Sequence, residues 1–198
     1  MAFKNLKEMF DKLNESNEKY VVLRNWANLP EKADLGPHGD LDLLVADKNA
    51  VVALLKGKPT TETPNRVQFK VDIGDSFQMV DVRFLGDDYY PSNWQLQILC
   101  DRIKHPSGFF ISKPMDYFWS LLYHAVIHKP QIAEDYQNKL RGMAYAMYPW
   151  LVDYLRFDRS DLLIQLIIGQ GYNVIKPQDP TVFFNKQFIP VEFGGVLL

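Results

Sequence analysis

A chain of 198 residues, 47% hydrophobic and 14% aromatic, can bury one sizeable core or two smaller ones, which excludes a disordered or purely linking segment. Its formal charge of -2 and pI near 6.1 exclude a strongly basic face for duplex nucleic acid. A single cysteine, Cys100, excludes an internal disulfide, and no apolar run approaches the roughly 20 residues of a membrane span.

The expectation is therefore a cytoplasmic chain without a membrane segment, with Cys100 as a small buried apolar residue. Met1–Leu13 lacks the unbroken apolar stretch of a signal peptide. Instead Phe3, Leu6, Met9, Phe10 and Leu13 recur at helical spacing and predict an opening amphipathic helix. Tyr20–Leu23 predicts a buried strand, and 25–39, punctuated by Pro30, Gly36, Pro37 and Gly39, a turn-rich loop. Asp40–Val45 predicts a second strand. Asp47 then caps a helix to about Leu55 that Gly57 and Pro59 end.

Arg66–Ile73 and Phe77–Leu85 predict a hairpin closed by Gly74-Asp75-Ser76. A helix follows over Ser92–Lys104 and a short strand over Phe109–Ile111. Helices are then predicted over Met115–His128, Ala133–Met147 and Pro149–Ile168. Tyr145, Trp150, Tyr154 and Phe157 are expected to be interlobe core. Four or five strands followed by helices predict an α+β fold: a mixed β-sheet flanked by helices, with a C-terminal helical lobe. The expected organisation is an α/β lobe over 1–112, a helical lobe over 113–175 and an extended arm over 176–198.

The chemistry concentrates in Gly39-Asp40-Leu41-Asp42-Leu43. Side chains alternate along a strand, so Asp40 and Asp42 share a face and repel one another. A hard divalent cation resolves that repulsion, and Mg²⁺ characteristically takes one or two carboxylates plus substrate phosphates. Gly39 lets a polyphosphate approach the backbone. A third acid, Asp81, sits mid-strand in Val80-Asp81-Val82, where a charge is costly unless paired or metal-bound. The plainer reading makes Asp40 and Asp42 turn caps and Asp81 an ion-pair partner of Arg83 or Arg24.

This pattern resembles the nucleotidyltransferase superfamily that includes DNA polymerase beta and the aminoglycoside nucleotidyltransferases. The residues that carry the resemblance are Val21-Val22-Leu23-Arg24-Asn25-Trp26, His38-Gly39-Asp40-Leu41-Asp42-Leu43 and Val80-Asp81-Val82, within Tyr20–His128. In layout the chain looks most like the small aminoglycoside 2''-type enzymes, with Asp116–His124 standing where those carry a Trp/Tyr-rich helix. The resemblance implies a nucleotidyltransferase-like sheet and transfer of a nucleoside monophosphate from a nucleoside triphosphate to a hydroxyl. It departs at the end of the first strand, where Arg24-Asn25 replaces the family's Gly-Ser or Gly-Gly.

The expected site has Asp40, Asp42 and Asp81 as catalytic and metal-holding residues, with Mg²⁺ or Mn²⁺. Arg24, Asn25, Gly39, His124 and Lys129 are the expected nucleotide contacts, Arg24 through its charged fork. His124 and His128, four apart on one helix face, would need two further ligands to hold zinc. Tyr89, Tyr90 and Trp94 either line a pocket over a base or sugar or seal the sheet. The expected partners are a nucleoside triphosphate and a small-molecule hydroxyl acceptor. The competing readings are an Asp-x-Asp glycosyltransferase using a nucleotide sugar, and a module that keeps the fold but not turnover.

Overall fold

The computed structural model describes residues 2–31 and 36–186, with 36–38 as backbone only. The expected arm therefore lies outside the described residues from 187 onward. The described chain forms two compact units. The first comprises residues up to Tyr117 together with Pro177–Thr181, and the second is drawn from Phe118–Lys176 and the residues from Val182.

The first unit is a seven-stranded mixed sheet in the order β3-β4-β5-β2-β1-β7-β6. Its strands are β1 Tyr20–Val22, β2 Gly36–Val45, β3 Lys58–Pro59, β4 Gln68–Ile73, β5 Ser76–Phe84, β6 Ile103–Lys104 and β7 Phe110–Ile111. β2 runs parallel to β5 and β1 parallel to β7, and the other neighbours are antiparallel. The α+β reading is thus the observed architecture.

Alternation along these strands builds one apolar face. Tyr20 and Val22, Leu41, Leu43 and Val45, Phe69 and Val71, and Val80 and Val82 all enter one core. α1 (Leu6–Glu15) lays Leu6, Met9, Phe10 and Leu13 on it, and α2 (Lys48–Leu55) adds Val51 and Leu55. Asn5 caps α1 by accepting from Glu8 N–H, and Asp47 caps α2 by accepting from Ala50 N–H. Phe3 stays outside the helix and bridges to Ile73 of β4.

Several boundaries differ from expectation for physical reasons. α2 ends on Lys56, whose φ of 55° is left-handed, while Gly57 N–H returns to Val52 C=O at 2.9 Å. Gly57 instead packs closely: a Cβ there would stand 3.3 Å from both Phe69 Cβ and Val52 Cγ1, so that these neighbours would have to shift slightly. Gly74, at φ 55°, takes the first position of the two-residue β4–β5 turn, where a positive angle is required. α3 spans only Ser92–Cys100, because Ile103–Lys104 pairs with β7 as β6. Cys100 is exposed rather than buried.

The second unit is helical. α4 (Pro114–Ile127) begins in the first unit and continues into it. α5 (Glu134–Met147), a 3-10 turn (Pro149–Tyr154) and α6 (Ser160–Gly169) follow. The single helix expected over 149–168 is therefore two pieces. Within this unit Phe118, Leu122, Leu140, Ala144, Leu151, Leu163 and Ile167 are buried. Tyr145, Trp150 and Tyr154 are exposed and Phe157 is half-buried, so they are not core residues as expected. No helix of the described residues is long and apolar enough to cross a membrane.

Candidate active site

The second face of the sheet carries the acids. β2 and β5 are central and parallel, and their register sets Asp40 beside Met79 and Asp42 beside Asp81. Residues paired in register project to the same side, so Asp42 and Asp81 stand next to each other away from the core face. Asp40 lies two residues along on that same side. A register shift between Gly36 and Asp40 marks a bulge in β2 immediately before the acids. Gly39 C=O accepts from the buried Gln78 side chain at 2.6 Å, which fastens the bulge to β5.

The carboxylates are not alone. Arg24, just past β1, donates Nε and Nη2 to the two oxygens of Asp42 at 3.2 and 2.5 Å. Its Nη1 donates to Tyr89 Oη at 3.1 Å. Arg83 Nη2 lies 3.7 Å from Asp81, and its Nη1 lies 3.4 Å from Asp179. The Arg83 guanidinium also rests 4.3 Å from the Tyr89 ring centroid. Arg66 approaches Asp179 at 3.7 Å and bonds Thr181. Of the two partners the plainer reading offered Asp81, Arg83 is the one in place, while Arg24 pairs with Asp42, which that reading had as a turn cap.

Burial pushes the Asp81 carboxyl above its ordinary range. The negative charges of Asp42 and Asp40 push it the same way, against Arg83 and Arg66. One oxygen, Oδ1, is buried with no hydrogen-bond partner among the described residues. Asp87 is likewise raised, chiefly by burial, although it accepts from Tyr89 N–H at 2.9 Å and from the Gln95 side chain at 2.6 Å. That turn aims Tyr89 at the two arginines. Tyr89, Tyr90 and Trp94 are all buried, with successive ring centroids 4.9 and 5.0 Å apart.

A hard cation suits this face chemically. The available donors are carboxylate oxygens on adjacent strands, and Asp81 Oδ1 is a buried acceptor without a donor among the described residues. As they stand, the described residues form no group of three or more His, Cys, Asp or Glu gathered to hold an ion. Arg24 on both oxygens of Asp42 explains why that residue is engaged elsewhere.

Asn25 is exposed, at φ 57° in the turn after Arg24. The three acids belong to the first unit, and His124 and Lys129 to the second. There His124 is buried with its ring 5.9 Å from His128 and 5.6 Å from Tyr136, and Lys129 is half-buried. Arg66 and Asp179 join this constellation without having been singled out in the sequence. Asp179 had no local signal, since it lies 96 residues from Arg83.

No family model matches the chain, and no curated protein matches it in sequence. Among solved structures it is similar to the solution structure of the antibiotic-resistance factor ANT(2'')-Ia. That likeness has a TM-score of 0.45 and 16% identity, over 82% of this chain and 93% of the other.

Proposed function

We propose that the face bearing Asp40, Asp42 and Asp81 transfers a nucleoside monophosphate from a nucleoside triphosphate to a hydroxyl acceptor. The observation that supports this reading is the β2–β5 register, with Asp42 beside Asp81 and Asp40 on the same side. Mg²⁺, or Mn²⁺ in its place, would be held by these three carboxylates and would supply neutralising charge to the phosphates and to the departing pyrophosphate.

The chain's own groups do the rest. Asp81, whose Oδ1 has no hydrogen-bond partner among the described residues, accepts the proton of the acceptor hydroxyl. The acceptor oxygen forms a bond to the α-phosphorus, and the bond from that phosphorus to the bridging oxygen breaks, releasing pyrophosphate. Arg24 presents a planar fork suited to phosphate. Gly39 allows a close backbone approach, and Asn25 is a further nucleotide contact in this reading. The acceptor is a small molecule, and the work is positioning and charge stabilisation.

A second reading, a nucleotide-binding module without turnover, is favoured by one observation: Arg24 already neutralises Asp42. Thermal shift and pyrophosphate release separate the two. Under the first reading, a nucleoside triphosphate with Mg²⁺ stabilises the protein, and Asp42→Asn abolishes the shift. Pyrophosphate release falls roughly 10²- to 10³-fold in Asp81→Asn. A shift without pyrophosphate favours the module. A shift only with a UDP-sugar and Mn²⁺ points to glycosyl transfer, and no shift with any of them counts against nucleotidyl transfer.

A further inference from the structure

We infer that Asp179 is a positioning residue for Asp81: by holding Arg83 at its own carboxylate, it keeps the guanidinium from closing on Asp81. This role rests on the proposed function, in which Asp81 takes the proton of the acceptor hydroxyl.

Arg83 is buried between two acids from distant parts of the chain. Its Nη1 donates to Asp179 Oδ2 at 3.4 Å, whereas Nη2 stands 3.7 Å from Asp81 Oδ2, past hydrogen-bond length. The Tyr89 ring lies along the guanidinium, with its centroid 4.3 Å away. Nε is buried with no hydrogen-bond partner among the described residues. An unsatisfied buried donor is costly, so only a firm anchor keeps such a guanidinium from moving onto the second carboxylate.

Asp179 is that anchor. It is 2% exposed, and its Oδ1 accepts from both the N–H and the hydroxyl of Thr181, at 2.9 and 2.6 Å. Its Oδ2 is left facing Arg83 and Arg66, whose Nη1 lies 3.7 Å away. Gln178 fastens the segment to the turn after β5. Its N–H bonds Asp87 C=O at 3.0 Å, and its side chain donates to Gly86 C=O at 2.7 Å and to Asp88 Oδ2 at 3.0 Å. A carboxylate locked by its own segment fixes the arginine that follows it.

Neutralising Asp179 changes the charge balance more than the packing. Arg83 would lose its hydrogen-bonded counter-charge while remaining buried, and Asp81 would be the carboxylate it turns to. A carboxylate held in a guanidinium fork has its oxygens committed to the arginine rather than to an incoming hydroxyl.

Melting temperatures of the full chain at pH 7 separate this role from a merely structural one. In the native background, Asp81→Asn is expected to raise the melting temperature, because burial and the neighbouring carboxylates oppose that charge. In the Asp179→Asn background the same substitution is expected to lower it, because Arg83 then depends on Asp81. Asp179→Glu, which keeps the charge, restores the native sign. If Asp179 only packs its segment, Asp81→Asn acts with the same sign in both backgrounds, and the positioning role is overturned.

Pyrophosphate release from each nucleoside triphosphate with Mg²⁺, with water in place of the acceptor hydroxyl, gives the second readout. Asp179→Asn is expected to lower kcat at least about tenfold and to move KM less than about threefold, and Asp179→Glu to recover most of the loss. An unchanged kcat overturns the role even where the melts reverse sign, and leaves the proposed function standing. A native protein that releases no pyrophosphate from any of them sinks the proposed function, and this role with it. Should Asp179→Asn not fold, Asp81→Asn alone decides: a melting temperature below the native one at pH 7 would assign Arg83 to Asp81 and overturn the role.

Discussion

Asp81 carries its charge where burial and two neighbouring carboxylates oppose it, with Arg83 only partly compensating. A carboxyl raised in the folded state holds its proton more readily there than in the unfolded chain. The stability linked to it is full below the ordinary value of about 3.9 and is lost as pH rises through the folded value. Asp81→Asn is therefore expected to melt at a higher temperature than the native protein at pH 7, with the gap closing toward pH 3.5. Thermal melts across that range check it, and a variant less stable at pH 7 would mean that Arg83 outweighs burial. The Asp42–Arg24 pair behaves in the opposite way, because each charge is compensated by the other. Arg24→Met strands a buried carboxylate at a cost of about 3–5 kcal/mol. Arg24→Met with Asp42→Leu removes both charges and is expected to cost less than Arg24→Met alone, as urea titration would report.

Strands β2 and β5 do the positioning. Because side chains alternate, slipping β2 by one residue on β5 would turn Leu41 and Leu43 out of the core and the acids into it. The apolar residues between the acids hold the carboxylates on their side. The two helices on the core face keep that register by covering it, and their caps contribute locally. Asn5→Ala and Asp47→Ala should each lower the free energy of unfolding by about 1 kcal/mol, since each frees a first-turn N–H. The caps bond only within their own first turns, so under the proposed function nucleoside triphosphate binding should be unchanged in both, and weakened binding would tie the helix ends to the site.

At the scale of the whole molecule, the first unit is not continuous in sequence. Pro177–Thr181 returns to it after the helical second unit. Gln178 N–H bonds Asp87 C=O at 3.0 Å, and the buried Asp179 meets Arg83 and Arg66. Asp179→Ala would leave Arg83 with less counter-charge in a buried setting, at an expected cost of about 3–5 kcal/mol. A melting temperature unchanged in that variant would show the returning segment to be peripheral to the first unit.

Periodicity and capping chemistry were enough to read α1, β1, the Asp40–Val45 part of β2, α2, the β4–β5 hairpin and the pairing of acids on one face. Those features depend on neighbours a few residues away, and alternation along a strand is a local property. The two-residue strands β3 and β6 carried no period to read, and the early start of β2 was hidden by its turn-forming residues. Exposure of Tyr145, Trp150 and Tyr154 was equally illegible, because an apolar residue type does not say what covers it. Tertiary structure alone decided that Asp42 lies beside Asp81, that Arg24 takes Asp42 while Arg83 divides itself between Asp81 and Asp179, and that a segment near residue 179 completes the first unit. These are contacts between residues far apart in the chain, set by sheet order and by how buried charges find their partners.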